Sequence, residues 1–423
     1  MRLRFLCVAK VAAVSAALIG CTLQVRADRT VVIYNEDSDN IMRAFWHKDP
    51  AHYTEQEVRD YYGKVLGPGH VTHLFACVNA RLSAYPSKVD APYWAALDEP
   101  TMDHPQWLQA MRDLVVNQGV DQFKVCFGMC REKGVSPWVS FRMNDIHFVN
   151  DPKFFLNTGF WREHPELWIN PASSNRTDCG WYQKAFDYRK KPVQDHMLAY
   201  IDEALGRYDV DGIELDWMRF EHHVPRAVAR TEGAEAINGF MRRAHELVAR
   251  HAKRRGHPIR IAARVDTEPA SALNHGTDYR TWAKEGLIDW LIPCNFFQTV
   301  DFDLPFARWA AEVKALNPRV TVIPGLDCGV MPDGTYASKR FLKPDEYAAW
   351  GDRMFGQGAT GAYFFNLFCN PSDEEKSSWD SWNFIINEGF TPENVAKHAK
   401  SVPPKAPREC VLSGWYVPDV GGK

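Results

Sequence analysis

Tyr208–Arg219 reads YDVDGIELDWMR. Strand side chains alternate in direction and successive residues rise about 3.3 Å, so Gly212, Glu214, Asp216 and Met218 share one face while Ile213, Leu215 and Trp217 share the other. One face carries acids and the other is apolar. A strand of a parallel barrel looks like this when its outer face packs under helices and its inner face rises into a site at the carboxyl end. Two acids inside one apolar strand are costly to bury without a purpose. The alternatives are a catalytic strand or a buried strand whose acids are paired with arginines for structure.

Working outward, eight apolar, β-rich segments occur in order: Thr30–Glu36, His70–Asn79, Ser136–Asn144, Val210–Trp217, Ile259–Val265, Ile288–Phe296, Val320–Leu326 and Gly361–Phe368. Helical periodicity separates most of them, as in Glu55–Val65, Pro105–Gln118, Asp121–Lys133, Val193–Gly206, Gly233–Arg255, Phe306–Leu316 and Pro344–Phe355. The segment after the fifth strand, Asp278–Glu285, is short for such a helix. Alternating strand and helix implies a parallel sheet. Eight units with no glycine-rich phosphate turn after the first strand predict an α/β fold of the (β/α)8 TIM-barrel type rather than a doubly wound sheet.

The βα loops after strands two and three, Ala80–His104 and Asp145–Pro192, are far longer than the usual roughly two to six residues. Both lie on the carboxyl side, where barrel enzymes build their sites. The second holds Phe154, Phe155, Phe160, Trp161, Trp168, Trp181 and Tyr182. These aromatics either stack on sugar rings or form a small core that lets a long loop fold.

Length and composition agree with one large unit. The chain has 423 residues, 45% hydrophobic and 13% aromatic, with a formal net charge of −3. Barrels take roughly 250 to over 400 residues as one domain, so length forces no split. The near-neutral charge gives no global attraction to nucleic acid or anionic membranes. Fifteen tryptophans exceed what a core demands and lean toward a ligand with apolar ring faces, such as a sugar.

The ends bound the domain. Arg2 and Arg4 precede the run VAKVAAVSAALIG, whose third residue is Lys10 and whose remainder is largely apolar, and Val25-Arg26-Ala27 offers a small-residue cleavage site, so residues 1–27 read as a secretory signal peptide. Leu18-Ile19-Gly20-Cys21 competes as a lipobox, and processing there would leave a lipid anchor at Cys21. The expectation is a secreted or periplasmic barrel over residues 28–402, touching a membrane only through that anchor. A proline-rich linker and short tail follow over 403–423. Eight cysteines follow residue 28: Cys77, Cys126, Cys130, Cys179, Cys294, Cys328, Cys369 and Cys410. Those inside predicted strands read as small buried hydrophobes. Cys126 and Cys130, one helical turn apart with no zinc-type partners, read as packed free thiols.

Glycoside hydrolysis needs two carboxyl groups. Glu214 and Asp216 have Cα atoms about 6.6 Å apart in a regular strand, close enough for one to raise the other's pKa. Asp216, nearer the carboxyl end, is expected to be better exposed and to do the direct chemistry, with Glu214 beneath it tuning or orienting. Further rim acids are Glu36, Asp37, Glu221, Asp266, Glu268 and Asp327. Donors and acceptors suited to a hydroxyl-rich ligand are Arg142, Asn144, Asp145, His147, Arg219, Arg264 and Asn295, with Trp161 and Trp168 as stacking candidates. Arg219 or Arg264 serves equally well to neutralise Glu214.

The order of strand-end motifs resembles a family. WVSFRMNDIH on strand three, EHPELW in the next loop, DGIELDWMR on strand four and IDWLIPCNFF on strand six look like the glycosyl-hydrolase-like-10 group of bacterial secreted barrel proteins, over about Thr30–Phe368. The resemblance implies a polysaccharide-active (β/α)8 barrel centred on Asp211, Glu214 and Asp216. Strand four also resembles the DGxDxDWE motif of family 18 chitinases. There the last glutamate is the general acid, and Met218 stands in its place here, which argues against chitinase chemistry. DGIELD echoes the DGxxxD strand of the α-amylase clan, which again selects Asp216 as nucleophile.

No GxSxG elbow and no P-loop occurs. His245-Glu246 opens like an HExxH zinc site, but Ala249 ends the match. The expected function is a secreted glycoside hydrolase acting on a carbohydrate substrate without cofactor or metal. The alternatives are a catalytically silent glycan-binding barrel at the cell surface and a metal-dependent hydrolase built around His222, His223 and Asp216.

Overall fold

A computed structural model describes residues 29–37, 40–41, 53–103, 105–174, 180–295, 300, 302–333, 338, 340–367 and 376–403. The expected signal peptide with Cys21, residues 404–423 of the expected tail, and Cys179, Cys369 and Cys410 lie outside the described residues. The barrel strands are β1 (Val31–Glu36), β2 (His73–Cys77), β3 (Ser136–Arg142), β4 (Gly212–Asp216), β5 (Arg260–Val265) and β6 (Trp290–Pro293). They continue with β7 (Thr321–Val322) and β8 (Gly325–Asp327), the hairpin strands β9 (Gly329–Val330) and β10 (Arg340–Phe341), and β11 (Gly361–Phe365).

The barrel strands pair in parallel, in the order β7-β6-β5-β4-β3-β2-β1-β11-β8. β7 and β8 are two pieces of one barrel position, the first paired with β6 and the second with β11, so the sheet comes round on itself. Pro324 explains the break, because it has no N–H to give a ladder. Its carbonyl accepts from Tyr363 N at 2.9 Å, while Ile323 N donates to Leu291 O at 3.0 Å. The expected continuous seventh strand, Val320–Leu326, is thus shared between two neighbours. All eight expected strand positions carry a strand, and the chain is a (β/α)8 barrel.

Helices 55–66, 122–132, 191–207, 234–255, 306–316 and 344–356 cover the outside. Their ends carry the expected chemistry: Thr54 and Glu57 form a capping box, and Asp121 accepts from the N–H groups of Phe123 and Lys124. The expected helix Pro105–Gln118 is α-helical only over Trp107–Arg112 and closes in a wider π turn over Asp113–Asn117. The fifth unit has two short helices, 269–274 and 279–285. Beyond β11, helices 376–382 and 392–397 add a cover whose Phe384, Ile385, Ile386, Phe390 and Val395 join the outer core.

Parity on β4 is as the alternation predicts. Ile213, Leu215 and Trp217 lie in the core between sheet and helices, whereas the barrel interior is filled by Ile33, Phe75, Trp138, Ala262, Trp290, Ile292, Cys294, Ile323, Tyr363 and Phe365. At the bottom Trp138 stacks between Phe75 (centroids 4.6 Å apart) and Trp290 (4.8 Å). Gly212 must be glycine: a Cβ there would sit 2.4 Å from the Trp138 ring. This aromatic plug leaves polar chemistry only to the layers above it.

Candidate active site

Above the plug, the register places Ser140 beside Glu214 and, one layer higher, Arg142 beside Asp216 beside Arg264. Glu214 is fully buried. Its Oε2 accepts from Asn35 Nδ2 at 2.9 Å and from Ser140 Oγ at 2.5 Å. Burial, and after it the charge of Asp216, pushes the Glu214 carboxyl up to about 7.

Asp216 is also buried, not the more exposed of the two as the sequence suggested. Its Oδ1 accepts from the N–H groups of Met218 and Arg219, both at 2.9 Å, and Arg264 Nη1 reaches Oδ1 at 3.1 Å and Oδ2 at 3.0 Å. Every one of these partners is a donor. Burial works against the Arg264 charge, but Asp216 together with Cys294, Tyr363 and Glu214 outweighs it and raises the guanidinium well above its usual range. Arg264 also donates to Asn295 O and lies over the Phe365 ring, 3.8 Å from its centroid. The arginine that sequence offered as a partner for Glu214 is therefore held by Asp216.

A second network crosses the mouth. Arg142 donates to both Asp37 oxygens (2.7 and 2.6 Å) and to Asp145 (3.0 Å). Asp145 also meets Arg81 at 3.3 Å and His147 Nδ1 at 2.8 Å. Burial alone would raise the Asp145 carboxyl, but His147, Arg142 and Arg81 hold it well below the usual carboxylate range. Arg219 Nη2 lies 2.6 Å from His147 Nε2. A guanidinium only donates, so that nitrogen is bare and the ring proton sits on Nδ1 toward Asp145. Desolvation pushes His147 down to about 4, keeping the ring neutral at neutral pH.

Other expected residues fall elsewhere. Glu36 points outward, bonded to the Tyr61 hydroxyl beneath helix 55–66, and burial lifts it to about 8. Asn144 bridges two loops through Phe186 O, His222 O and Phe186 N. Trp161 and Trp168 do not face the mouth. They stack on each other at 4.5 Å inside a loop core with Ile146, Val149, Ala185, Met218 and Phe220. His223 is held by Trp217 O at 2.7 Å and caged by Tyr188 and Trp217, and Asp216 is committed to Arg264, so the metal triad imagined at His222, His223 and Asp216 does not assemble. The cysteines Cys77, Cys126, Cys130, Cys294 and Cys328 are buried free thiols.

Several contributors escaped the sequence reading. Arg81 organises both long loops, donating to Leu156 O, Asp145 O, His147 O and Asn157 Oδ1, and its position one residue into the β2 loop was the available signal. Phe148 is 61% exposed and adopts φ +49°, a conformation unfavourable for a bulky residue, at the rim beside His147. Tyr182 is 39% exposed and tilts over His222. On the inward faces of the strands lie Glu214, whose carboxyl also meets the Tyr363 side chain, and Asp327, whose Oδ2 has no hydrogen bond among the described residues. Both are buried, at β4 and at the end of β8.

No protein-family model matches the chain, and no curated protein matches its sequence. Similar solved structures include the glycoside hydrolase domain of PgaB (BpsB) from Bordetella bronchiseptica, 11% identical over 84% of this chain and 99% of that one, with a TM-score of 0.49. A glycoside hydrolase family 18 N-acetylglucosaminidase from Paenibacillus barengoltzii is 10% identical over 84% and 99%, at 0.44. The GH36 α-galactosidase AgaA from Geobacillus stearothermophilus is 13% identical over 85% of this chain, at 0.39, and this chain spans 42% of its length.

Proposed function

We propose that the chain is a secreted glycoside hydrolase of the glycosyl-hydrolase-like-10 kind, acting on a polysaccharide or oligosaccharide. The observation that carries this reading is the pair of inward acids on β4 in opposed settings. Glu214 holds a proton near neutral pH, and Asp216, two residues on, is surrounded by donors. Such a split supplies a proton-giving acid and a fixed carboxylate. Asp327, with an uncommitted Oδ2, is the further carboxyl that two-acid hydrolysis can draw on. Exposed Phe148 and Tyr182 offer ring faces to a sugar. Export rests on the N-terminal apolar run, with a lipid anchor at Cys21 as the competing outcome.

Two features favour a second reading, a silent glycan-binding barrel. Both Asp216 oxygens are engaged, and Met218 stands where family 18 chitinases carry their acid. The test is release of reducing ends from plant, algal and bacterial polysaccharides by Asp28–Lys423 and by its Glu214→Gln, Asp216→Asn and Asp327→Asn variants. Circular dichroism reports whether each variant folds. Release by the parent, lost in folded variants, supports the hydrolase. Binding without release, retained in all four proteins, supports the silent barrel.

A further inference from the structure

Beside the acidic centre, on the same rim, Glu221, Asp266 and His275 converge from three separate segments. Glu221 follows β4, Asp266 directly follows β5, and His275 follows the short helix 269–274. One donor atom from each lies within 4.8 Å of the other two. Glu221 is 3% exposed and His275 7%. Two carboxylates brought this close in a sparsely hydrated place repel each other unless a positive charge joins them.

The spacing indicates which kind of charge. His275 Nδ1 lies 3.6 Å from Glu221 Oε2 and 3.7 Å from Asp266 Oδ2, beyond hydrogen-bond reach of either. Two ligands each about 2.1 Å from one ion and roughly 110–120° apart stand about 3.4–3.6 Å from each other. The imidazole and the carboxylates therefore keep the separation of co-ligands rather than of a hydrogen-bonded ion pair. Asp266 is also held in place from behind: Ser271 Oγ donates to Oδ2 at 2.6 Å, and Thr267 Oγ1 and Glu268 N donate to Oδ1 at 3.1 and 3.2 Å. Outer bonds of this type orient ligating carboxylates. Asp37, Asp145 and Asp216 each have an arginine, whereas the ion-pair partner of Asp266 among the described residues is His275.

We propose that Glu221, Asp266 and His275 form a divalent-cation site that ties the β4 and β5 loops together at the carboxyl rim. One imidazole and two carboxylates suit a first-row ion such as Zn²⁺ or Mn²⁺. Ca²⁺ prefers six to eight oxygens and suits the set less well. The loops so tied carry Arg219, two residues before Glu221, and Arg264, two residues before Asp266, the arginines that reach His147 and Asp216. The site is independent of whether the barrel hydrolyses glycans.

The test uses the chelator-treated full chain with Zn²⁺, Mn²⁺ and Ca²⁺ as probes, followed by calorimetric titration and thermal unfolding. The expected result is one ion per chain for Zn²⁺ or Mn²⁺, a rise in Tm on binding, and weaker Ca²⁺ binding. Glu221→Gln and His275→Gln, which keep size and polarity, are each expected to weaken binding at least tenfold, with circular dichroism confirming the fold. Asp266→Asn provides a third variant should one of these misfold. Absence of binding and of any Tm shift in the folded parent overturns the proposal. So does binding that persists unchanged in the folded variants, which would place the ion elsewhere.

Discussion

Asp216 on β4 and Arg264 on β5 stand side by side in the register, and one guanidinium nitrogen bonds both carboxylate oxygens at 3.1 and 3.0 Å in a fully buried layer. The pair couples the most acidic strand of the barrel to its neighbour. Removing one partner leaves a buried, uncompensated charge, so Arg264→Met is expected to cost about 3–5 kcal/mol of stability. Asp216→Asn is expected to cost a similar amount, and the double variant less than the two together. Denaturant midpoints of the three proteins measure this. Additive losses would show that the pair is not coupled.

Glu214 gives a pH signature. Its carboxyl is raised from 4.5 to about 7, so the folded chain holds that proton more tightly than the unfolded one. The stability this contributes is complete below the unfolded value and is lost as pH rises through about 7. Wild type should lose up to roughly 3 kcal/mol relative to Glu214→Gln between about pH 5 and 8. Glu36 slopes the same way in both proteins and cancels from the difference. Parallel stability curves over that range would refute the assignment.

Trp161 and Phe148 should behave oppositely. Trp161 is buried against Trp168, with its Nε1 bonded to Lys184 O at 2.9 Å, so Trp161→Ala should cost roughly 3–5 kcal/mol. Phe148→Gly relieves the left-handed backbone and removes an exposed ring, so stability should stay within about 0.5 kcal/mol or rise. Glycan affinity should fall roughly three- to tenfold. Unfolding curves and affinity electrophoresis on one glycan separate the two residues; an unchanged affinity in Phe148→Gly would remove it from the binding surface.

Gly212→Ala tests the plug under the site. The added methyl would meet the Trp138 ring at 2.4 Å, and that ring is wedged between Phe75 and Trp290. Overpacking of this kind costs about 1–3 kcal/mol, visible as a lower Tm. An unchanged Tm would mean that the aromatic stack yields more readily than its packing indicates.

Legible in the sequence alone were the order of the eight barrel positions, the two long loops and the face on which Glu214 and Asp216 lie, whereas the split of the seventh strand and the β9–β10 hairpin were not. Period-two alternation and helix capping are local, and they act before any distant contact forms. Tertiary structure alone decided the partners. Arg264 is 48 residues from Asp216 and Asn35 is 179 from Glu214, and which of them meet follows from the register and closure of the barrel. For the same reason Trp161 and Trp168 became core, Phe148 became the exposed ring, and Glu221, Asp266 and His275 came within 4.8 Å of one another. Residue type states what a side chain can bind, and the closed sheet selects what it meets.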